Sequence, residues 1–259
     1  MMDVNAYLTK LSKQLEVGDS EISKIQDSIS NLKTKIWGTF QENLVSAEPI
    51  GSFDRQTMLS RSVDKESDVD ILVIFKSGEY QPQTYLNWLK EFSEKNYSRS
   101  EISPDFPTIA IDMNHIRFEL VPAYKNGQLK IPAPRSKEIK WITADPLEFK
   151  QKVENKNKNN GQLILPIIRI FKYWNCLNNY PFTSFYLENF IVTHSYSSCY
   201  NLRDYFFEVI NDLDNTSFDK PLESHVQNLY KKRARLQGME KEKLIEYMEQ
   251  ELQTFIPLL

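Results

Sequence analysis

The sequence predicts an α+β fold in which a small mixed β-sheet lobe, residues 1–142, packs against a C-terminal helical lobe, residues 143–259. Two observations predict this division. Up to about residue 140, short segments with alternating apolar residues are mixed with amphipathic helical segments, whereas from Asp145 onward only the helical periodicity remains. A long helical pattern also precedes the sheet, and we expect this helix to pack as a spine against both lobes.

The elements of the first lobe follow from their periodicity. The spine helix is predicted over residues 19–42, and the polar segment "SPDFP" is predicted as a loop. A helical turn is predicted near residues 54–59, and Asn114-His115 is predicted as a hairpin turn. The predicted strands and the second helix are, in order, "SAEPIGSF", "SDVDILVIF", the helix "QPQTYLNWLKEFSEKNY", "TIAIDM" and "IRFELVPAY".

The second lobe is predicted to contain only helices, because its apolar residues recur at spacings of three and four. The helical segments are "DPLEFKQKVENKNKNN", "GQLILPIIRIFKYWNCL", "TSFYLENFIVTHSYSSCY", "LRDYFFEVINDL" and the stretch from residue 221 to the end.

Composition narrows the class of protein. The chain has 259 residues, of which 41% are hydrophobic and 26% charged, as expected for a folded globular protein. No apolar run reaches transmembrane length, and the N-terminus lacks the pattern of a signal peptide, so we expect a cytoplasmic protein without a membrane partner. Cys176 and Cys199 lack metal-ligand spacing, which favours two reduced thiols in the core.

The charge pattern disfavours extended nucleic-acid binding. The formal net charge is −3, whereas proteins that grip a long duplex usually carry a basic excess. The one dense basic run, "KKRAR" at residues 231–235, is interpreted as a solvated helix face or as a site that steers an anionic acceptor or activator. His115, His194 and His225 have no obvious partner in sequence, which favours structural roles.

Two acidic residues interrupt a strand that otherwise reads as buried. Because side chains alternate between the faces of a strand, Asp68 and Asp70 share one face with Leu72 and Ile74. The repulsion between neighbouring carboxylates is relieved by protonation, by solvent or by a shared cation. This pair alone is therefore either a solvated strand entrance or a metal site.

Two further features favour the metal site. Gly51-Ser52 ends the preceding strand and provides backbone N–H groups and a hydroxyl for a phosphate. Glu119 lies in an otherwise apolar strand and is a candidate third ligand, although a salt bridge to a nearby cation is the alternative. Such a set can hold two Mg²⁺ ions about 3.5–4 Å apart, with Mn²⁺ as a substitute, as nucleotidyl transfer requires.

These residues resemble a known family. Gly51-Ser52, the D-x-D pair Asp68 and Asp70, and a later acid are similar to the signature of the DNA polymerase β-type nucleotidyltransferase superfamily. More narrowly, "GSFDRQT" and "SDVDILVIF" resemble the oligoadenylate synthetase and cyclic-GMP-AMP-synthase-like branch, including the bacterial CD-NTases with a SMODS domain. Glu119 stands where this branch usually has Asp, a conservative change for a metal ligand. The segments "WITADP", "RIFKYWN" and "SFYLE" extend the resemblance over residues 45–200 or so.

The resemblance implies nucleotide-binding residues in the second lobe. Lys172 and Ser184 are implied to contact the triphosphate of the donor, and Phe185 to stack on its base. The alternatives are a solvated helical lysine for Lys172 and core packing for Phe185.

The leading hypothesis is therefore a nucleotidyltransferase that makes a cyclic or linear oligonucleotide second messenger, in bacterial anti-phage defence by family analogy. Its partners would be an NTP or dNTP donor, a small nucleotide acceptor and a downstream effector protein. Two alternatives remain: transfer of nucleotides to a macromolecule, such as an RNA 3′ end or a protein hydroxyl, and a catalytically silent nucleotide-binding protein.

Overall fold

The computed structural model describes residues 2–98, 100–105, 107–133, 140–214, 216 and 218–259. The chain forms two compact units: the sheet unit, Val17–Gln151, and the helical unit, which combines the residues up to Glu16 with Lys152–Leu259. The sequence prediction assigned all residues up to 142 to the first lobe. In the structure, the contacts of the residues up to Glu16 group them with the C-terminal helices.

The sheet unit is built around one mixed sheet. Its strand order is β1-β2-β5-β4-β3, with β6 added beside β5 and β7 beside β6. Strands β2 and β5 are parallel, and the other pairs are antiparallel. The predicted mixed sheet is confirmed. The strands are β1 (Leu44–Ile50), β2 (Asp68–Phe75), β3 (Glu101–Asp105), β4 (Thr108–Asp112), β5 (Arg117–Asn126), β6 (Gln128–Pro132) and β7 (Trp141–Thr143).

One face of the sheet forms the core of this unit. The predicted spine helix is α2 (Asp19–Phe40), and α4 (Pro82–Asn96) is the second helix that packs on the strands. Their apolar stripes cover the face of β2 on which Val69, Ile71 and Val73 are fully buried. The opposite face of β2 begins with the two acidic residues, so the alternation read from the sequence is confirmed.

Two local predictions in this unit were wrong. The "SPDFP" segment begins in strand β3, which pairs with β4, because proline is tolerated on an edge strand. The helical turn α3 spans Gly51–Asp54, earlier than predicted, because Gln56 has a positive φ of 59° that ends it.

The helical unit is assembled from α1 together with the C-terminal helices. Helix α1 begins with the N-cap Asp3, whose carboxylate accepts from Ala6 N at 2.7 Å, and its residues Tyr7 and Leu11 are fully buried. The Tyr7 hydroxyl donates to the carbonyl of Ile256 at 3.0 Å, which fastens the two ends of the chain together. The helices are α1 (Val4–Gln14), α5 (Pro146–Asn159), which crosses the boundary between the units, α6 (Ile164–Leu177), α7 (Ser184–Thr193), α8 (Leu202–Asp214), α9 (Lys220–Lys241) and α10 (Ile245–Phe255).

Within the described parts of the chain, no helix combines the length and the apolar character needed to span a bilayer.

Candidate active site

The acidic residues of β2 and β5 lie on one face of the sheet. In the parallel register of these strands, Asp70 is the direct neighbour of Glu119, and Asp68 is the neighbour of Arg117. Adjacent strands are about 4.8 Å apart, and neighbours in register point to the same side. The structure therefore brings Asp68, Asp70 and Glu119, which the sequence predicted as one set, to one short stretch of the sheet.

Gly51 lies directly against one of these carboxylates. A Cβ atom built on Gly51 would lie 1.9 Å from Oδ2 of Asp70 and 2.9 Å from its Cγ, distances that no side chain can tolerate. The φ of Gly51 is also +72°, a conformation that L-residues adopt only with strain. Glycine is thus required here by both backbone geometry and space, because the turn after β1 passes over Asp70.

The turn that follows is held by its own backbone. The carbonyl oxygen of Ser52 accepts from the N–H groups of Thr57 at 2.9 Å and of Met58 at 3.1 Å. Thr57 is fully buried, and its hydroxyl also donates to this carbonyl at 3.4 Å. Lys150 pairs with Asp54 of the same turn at 2.8 Å. These contacts fix the Gly-Ser segment beside the acidic face.

Glu119 is held by two donors. The hydroxyl of Thr108 donates to its Oε2 at 3.1 Å, and Nε of Arg117 lies 3.4 Å from its Oε1. Arg117 also pairs with Asp112 at 3.1 Å, and Arg61 lies 3.7 Å from the other oxygen of Asp112. The salt bridge considered as the alternative for Glu119 is therefore present, and the positive charge of Arg117 offsets part of the repulsion among the neighbouring carboxylates.

Arg117 and Thr108 are the site residues that the sequence reasoning missed. Arg117 precedes Glu119 by two positions and so shares its face of β5, a signal that period-two alternation does carry. Thr108 is positioned by the pairing of β4 with β5, which brings residues from separate segments of the chain together. No local pattern identifies Thr108.

The donor atoms fit a hard divalent cation. All three acids are only partly exposed, and together they offer carboxylate oxygens alone, the ligands that Mg²⁺ and Mn²⁺ prefer. The missing Cβ of Gly51 allows the backbone of the turn to lie close to the Asp70 carboxylate. Asp68, Asp70 and Glu119 are the residues that would hold the metal.

The other predicted nucleotide-binding residues belong to the helical unit. Lys172 lies in α6 and is only 6% exposed, so the alternative of a solvated lysine is wrong. Ser184 is the first residue of α7, whose N-cap Thr183 accepts from Tyr186 N at 3.2 Å. Phe185 follows it and is 57% exposed, so the alternative of core packing is wrong as well.

The basic run and two histidines have local partners. In the run at residues 231–235, Lys232 and Arg235 both pair with Glu251 of α10, at 2.6 and 3.3 Å, so these two charges serve helix packing. His115 hydrogen-bonds to the hydroxyl of Ser28 at 3.0 Å. Nε2 of His194 is in contact with Oδ2 of Asp212.

A mixed sheet with aligned acids on neighbouring strands, beside a Gly-Ser turn that contacts one of them, defines a nucleotidyltransferase of the DNA polymerase β type. The profile of the SMODS family, the Second Messenger Oligonucleotide or Dinucleotide Synthetase domain, matches residues 2–157. The chain belongs to this family, and with it to the CD-NTases of the cyclic-GMP-AMP-synthase-like branch.

Solved structures of CD-NTases share this fold. CdnC of Escherichia coli MS115-1, solved with ATP, superposes with a TM-score of 0.75 at 12% identity over 96% of this chain and 97% of that one. CdnG of Bradyrhizobium diazoefficiens, solved with GTP, gives 0.75 at 11% identity over 97% and 95%. The STING-associated c-di-GMP synthase CdnE of Capnocytophaga granulosa gives 0.67 at 17% identity over 90% and 86%. No curated protein sequence matches the chain significantly.

Proposed function

We propose that the protein is a Mg²⁺-dependent nucleotidyltransferase that makes a cyclic or linear oligonucleotide second messenger from NTPs, in the cytoplasm and as part of bacterial anti-phage defence. Membership of the SMODS family supports the product class. The ATP and GTP bound by the CdnC and CdnG relatives support nucleoside triphosphates as substrates.

The observation that carries this proposal is the alignment of the acids. Asp70 is in register with Glu119 on one side, and Gly51 contacts it on the other. A solvated strand entrance would not need a glycine at positive φ packed against one of its carboxylates. A cation site that also receives a triphosphate does need backbone to approach the acid closely.

The reaction places the following demands on these residues. The oxygen of an acceptor hydroxyl forms a bond to the α-phosphorus of the donor, the bond to pyrophosphate breaks, and the hydroxyl proton passes to solvent. When bound, Mg²⁺ supplies charge neutralisation and activation of the hydroxyl. Asp68, Asp70 and Glu119 hold the cation, while Arg117 and Thr108 keep the carboxylate of Glu119 oriented.

The donor nucleotide is proposed to be bound by residues of the helical unit. Lys172 and Ser184 contact its triphosphate, and Phe185 stacks on its base. The exposure of Phe185 supports its role, because an exposed aromatic face is available for stacking.

A small nucleotide is the proposed acceptor, and the product is proposed to act on an effector protein. The CdnE relative of Capnocytophaga granulosa is STING-associated, which supports such an effector. The structure of the CdnC relative in complex with HORMA-deltaN shows that a member of this fold class also binds a protein.

The test is product formation by the purified protein. Labelled NTPs or dNTPs are incubated with the protein and Mg²⁺ or Mn²⁺, and products are identified by mass spectrometry. Asp70→Asn should lower turnover more than about a hundredfold, since even groups that only support a metal ligand are worth 10–100-fold. The matched control is Asp27→Asn, the same chemical change at an exposed position of α2. Undiminished turnover by the Asp70 variant would sink the metal-site assignment, and products that require added RNA or protein would favour the macromolecular acceptor.

A further inference from the structure

Asp112, the last residue of β4, lies directly opposite Arg117 of β5. Residues opposite each other on antiparallel strands share a face of the sheet, so Asp112 belongs to the face that carries the acids of the candidate active site. Its Oδ2 accepts from Nη1 of Arg117 at 3.1 Å. Asp112 is therefore connected to the site through Arg117.

The guanidinium of Arg117 is shared between two acids. Nη1 contacts Asp112 at 3.1 Å, while Nε lies 3.4 Å from Oε1 of Glu119. A guanidinium is planar and its donors are fixed relative to one another, so the contact with Asp112 also sets the direction of Nε. The contact with Asp112 is the shorter of the two. Asp112 thus determines how Arg117 faces Glu119.

Asp112 is itself held by a second arginine. Nη1 of Arg61 lies 3.7 Å from Oδ1 of Asp112. Nη2 of Arg61 donates to the carbonyl of Lys65 at 3.1 Å, and its backbone N–H donates to Oε1 of Glu21 on α2 at 3.4 Å. Each oxygen of the Asp112 carboxylate therefore faces an arginine, and Arg61 is anchored at both its backbone and its side chain.

This arrangement bears on cation binding by Glu119. A divalent cation held by Glu119 and a guanidinium 3.4 Å from the same carboxylate repel each other, so Arg117 and the cation compete for this acid. The negative charge of Asp112 offsets the charge of Arg117. Without it, Arg117 would pair more strongly with Glu119 and would oppose the cation more.

We propose that Asp112 is a positioning residue for the metal site. It holds Arg117 so that the guanidinium orients the carboxylate of Glu119 without excluding a divalent cation from it. This inference rests on the proposed function, because it takes Glu119 as a metal ligand.

Direct binding of Mn²⁺ tests the proposal. The purified protein is titrated with Mn²⁺ alone, and the free ion is measured by its electron paramagnetic resonance signal. Asp112→Asn should weaken binding roughly tenfold, the lower end of the effects of groups that support a metal ligand. The matched control Asp27→Asn, the same change at an exposed position of α2, should bind Mn²⁺ as wild type does. Asp112→Ser removes the same charge, should show the same loss and replaces Asp112→Asn if that variant does not fold.

A double-mutant cycle shows whether Asp112 acts through Arg117. In an Arg117→Gln background, Asp112→Asn should change the Mn²⁺ affinity by less than about twofold, because the side chain that it positions is gone. Turnover of labelled NTPs by Asp112→Asn should need more Mn²⁺ for half-maximal rate and should recover in excess Mn²⁺. A merely structural role would lower turnover at every Mn²⁺ concentration.

The outcomes separate this proposal from the proposed function. Weaker Mn²⁺ binding by Asp70→Asn, together with wild-type binding by Asp112→Asn, would overturn the role of Asp112 and leave the metal site intact. A loss of equal size with and without Arg117 would also overturn it, since Asp112 would then act on the cation directly. Absence of Mn²⁺ binding by wild type, or binding unaffected by Asp70→Asn, would overturn both proposals.

Discussion

Replacing Gly51 by alanine tests whether the turn must pass directly over Asp70. The substitution adds two costs. The first is the positive φ of 72°, which costs an L-residue about 1–2 kcal/mol. The second is the clash of the new Cβ with Oδ2 of Asp70, 1.9 Å away, which we set at about 1–3 kcal/mol by analogy with overpacked cores. The expected loss is therefore about 2–5 kcal/mol of the free energy of unfolding.

A control glycine separates these two costs. Gly127 has a φ of +67°, but a Cβ there would meet no atom within 4 Å. Gly127→Ala should cost only the backbone strain of about 1–2 kcal/mol and leave nucleotide transfer intact. Gly51→Ala should lose both stability and activity, because relief of the clash displaces the Asp70 carboxylate.

Urea unfolding of both variants and turnover of labelled NTPs measure the difference. The Asp70→Ala background supplies an internal check, since removal of the carboxylate should reduce the cost of Gly51→Ala to nearly that of Gly127→Ala. Equal stability and equal activity of the Gly51 and Gly127 variants would refute the reasoning, because the contact of Gly51 with Asp70 would then contribute to neither stability nor activity.

Two other predictions concern the substrates. Lys172→Ala should raise the KM for NTP more than it lowers kcat, because the ammonium would bind charge that is present before the transition state. The control Lys158→Ala, at an exposed position, should change neither constant. An unchanged KM in the Lys172 variant would show that Lys172 is not part of the donor site. Turnover from NTPs alone should depend only weakly on salt concentration. Binding of a polymer acceptor, in which the protein neutralises many phosphates, would instead weaken with salt with a log–log slope of roughly 0.9 per phosphate. A strict requirement for added RNA or DNA would contradict the small acceptor.

The helices and strands with strong periodicity were determined by the sequence. The alternation in "SDVDILVIF" already places Asp68 and Asp70 on one face, because side-chain direction in a strand depends only on local backbone geometry. The Gly-Ser pair, the D-x-D pair and the later acid were sufficient to indicate the family, since these residues carry chemistry that few other patterns need. Helix α1 was not predicted, although its apolar residues recur at helical spacing.

Only the tertiary structure decided which of these residues are neighbours. The parallel pairing of β2 with β5 places Asp70 beside Glu119, and the pairing of β4 with β5 brings Thr108 to Glu119. The contact of Gly51 with Asp70 likewise depends on how β1 pairs with β2. Strand pairing depends on the burial of whole strand faces against α2 and α4. This burial involves residues far apart in the sequence, so it cannot be predicted from any short segment. The residues of the site could therefore be predicted from the sequence, but which of them are neighbours depends on the pairing and register of the strands in the folded sheet.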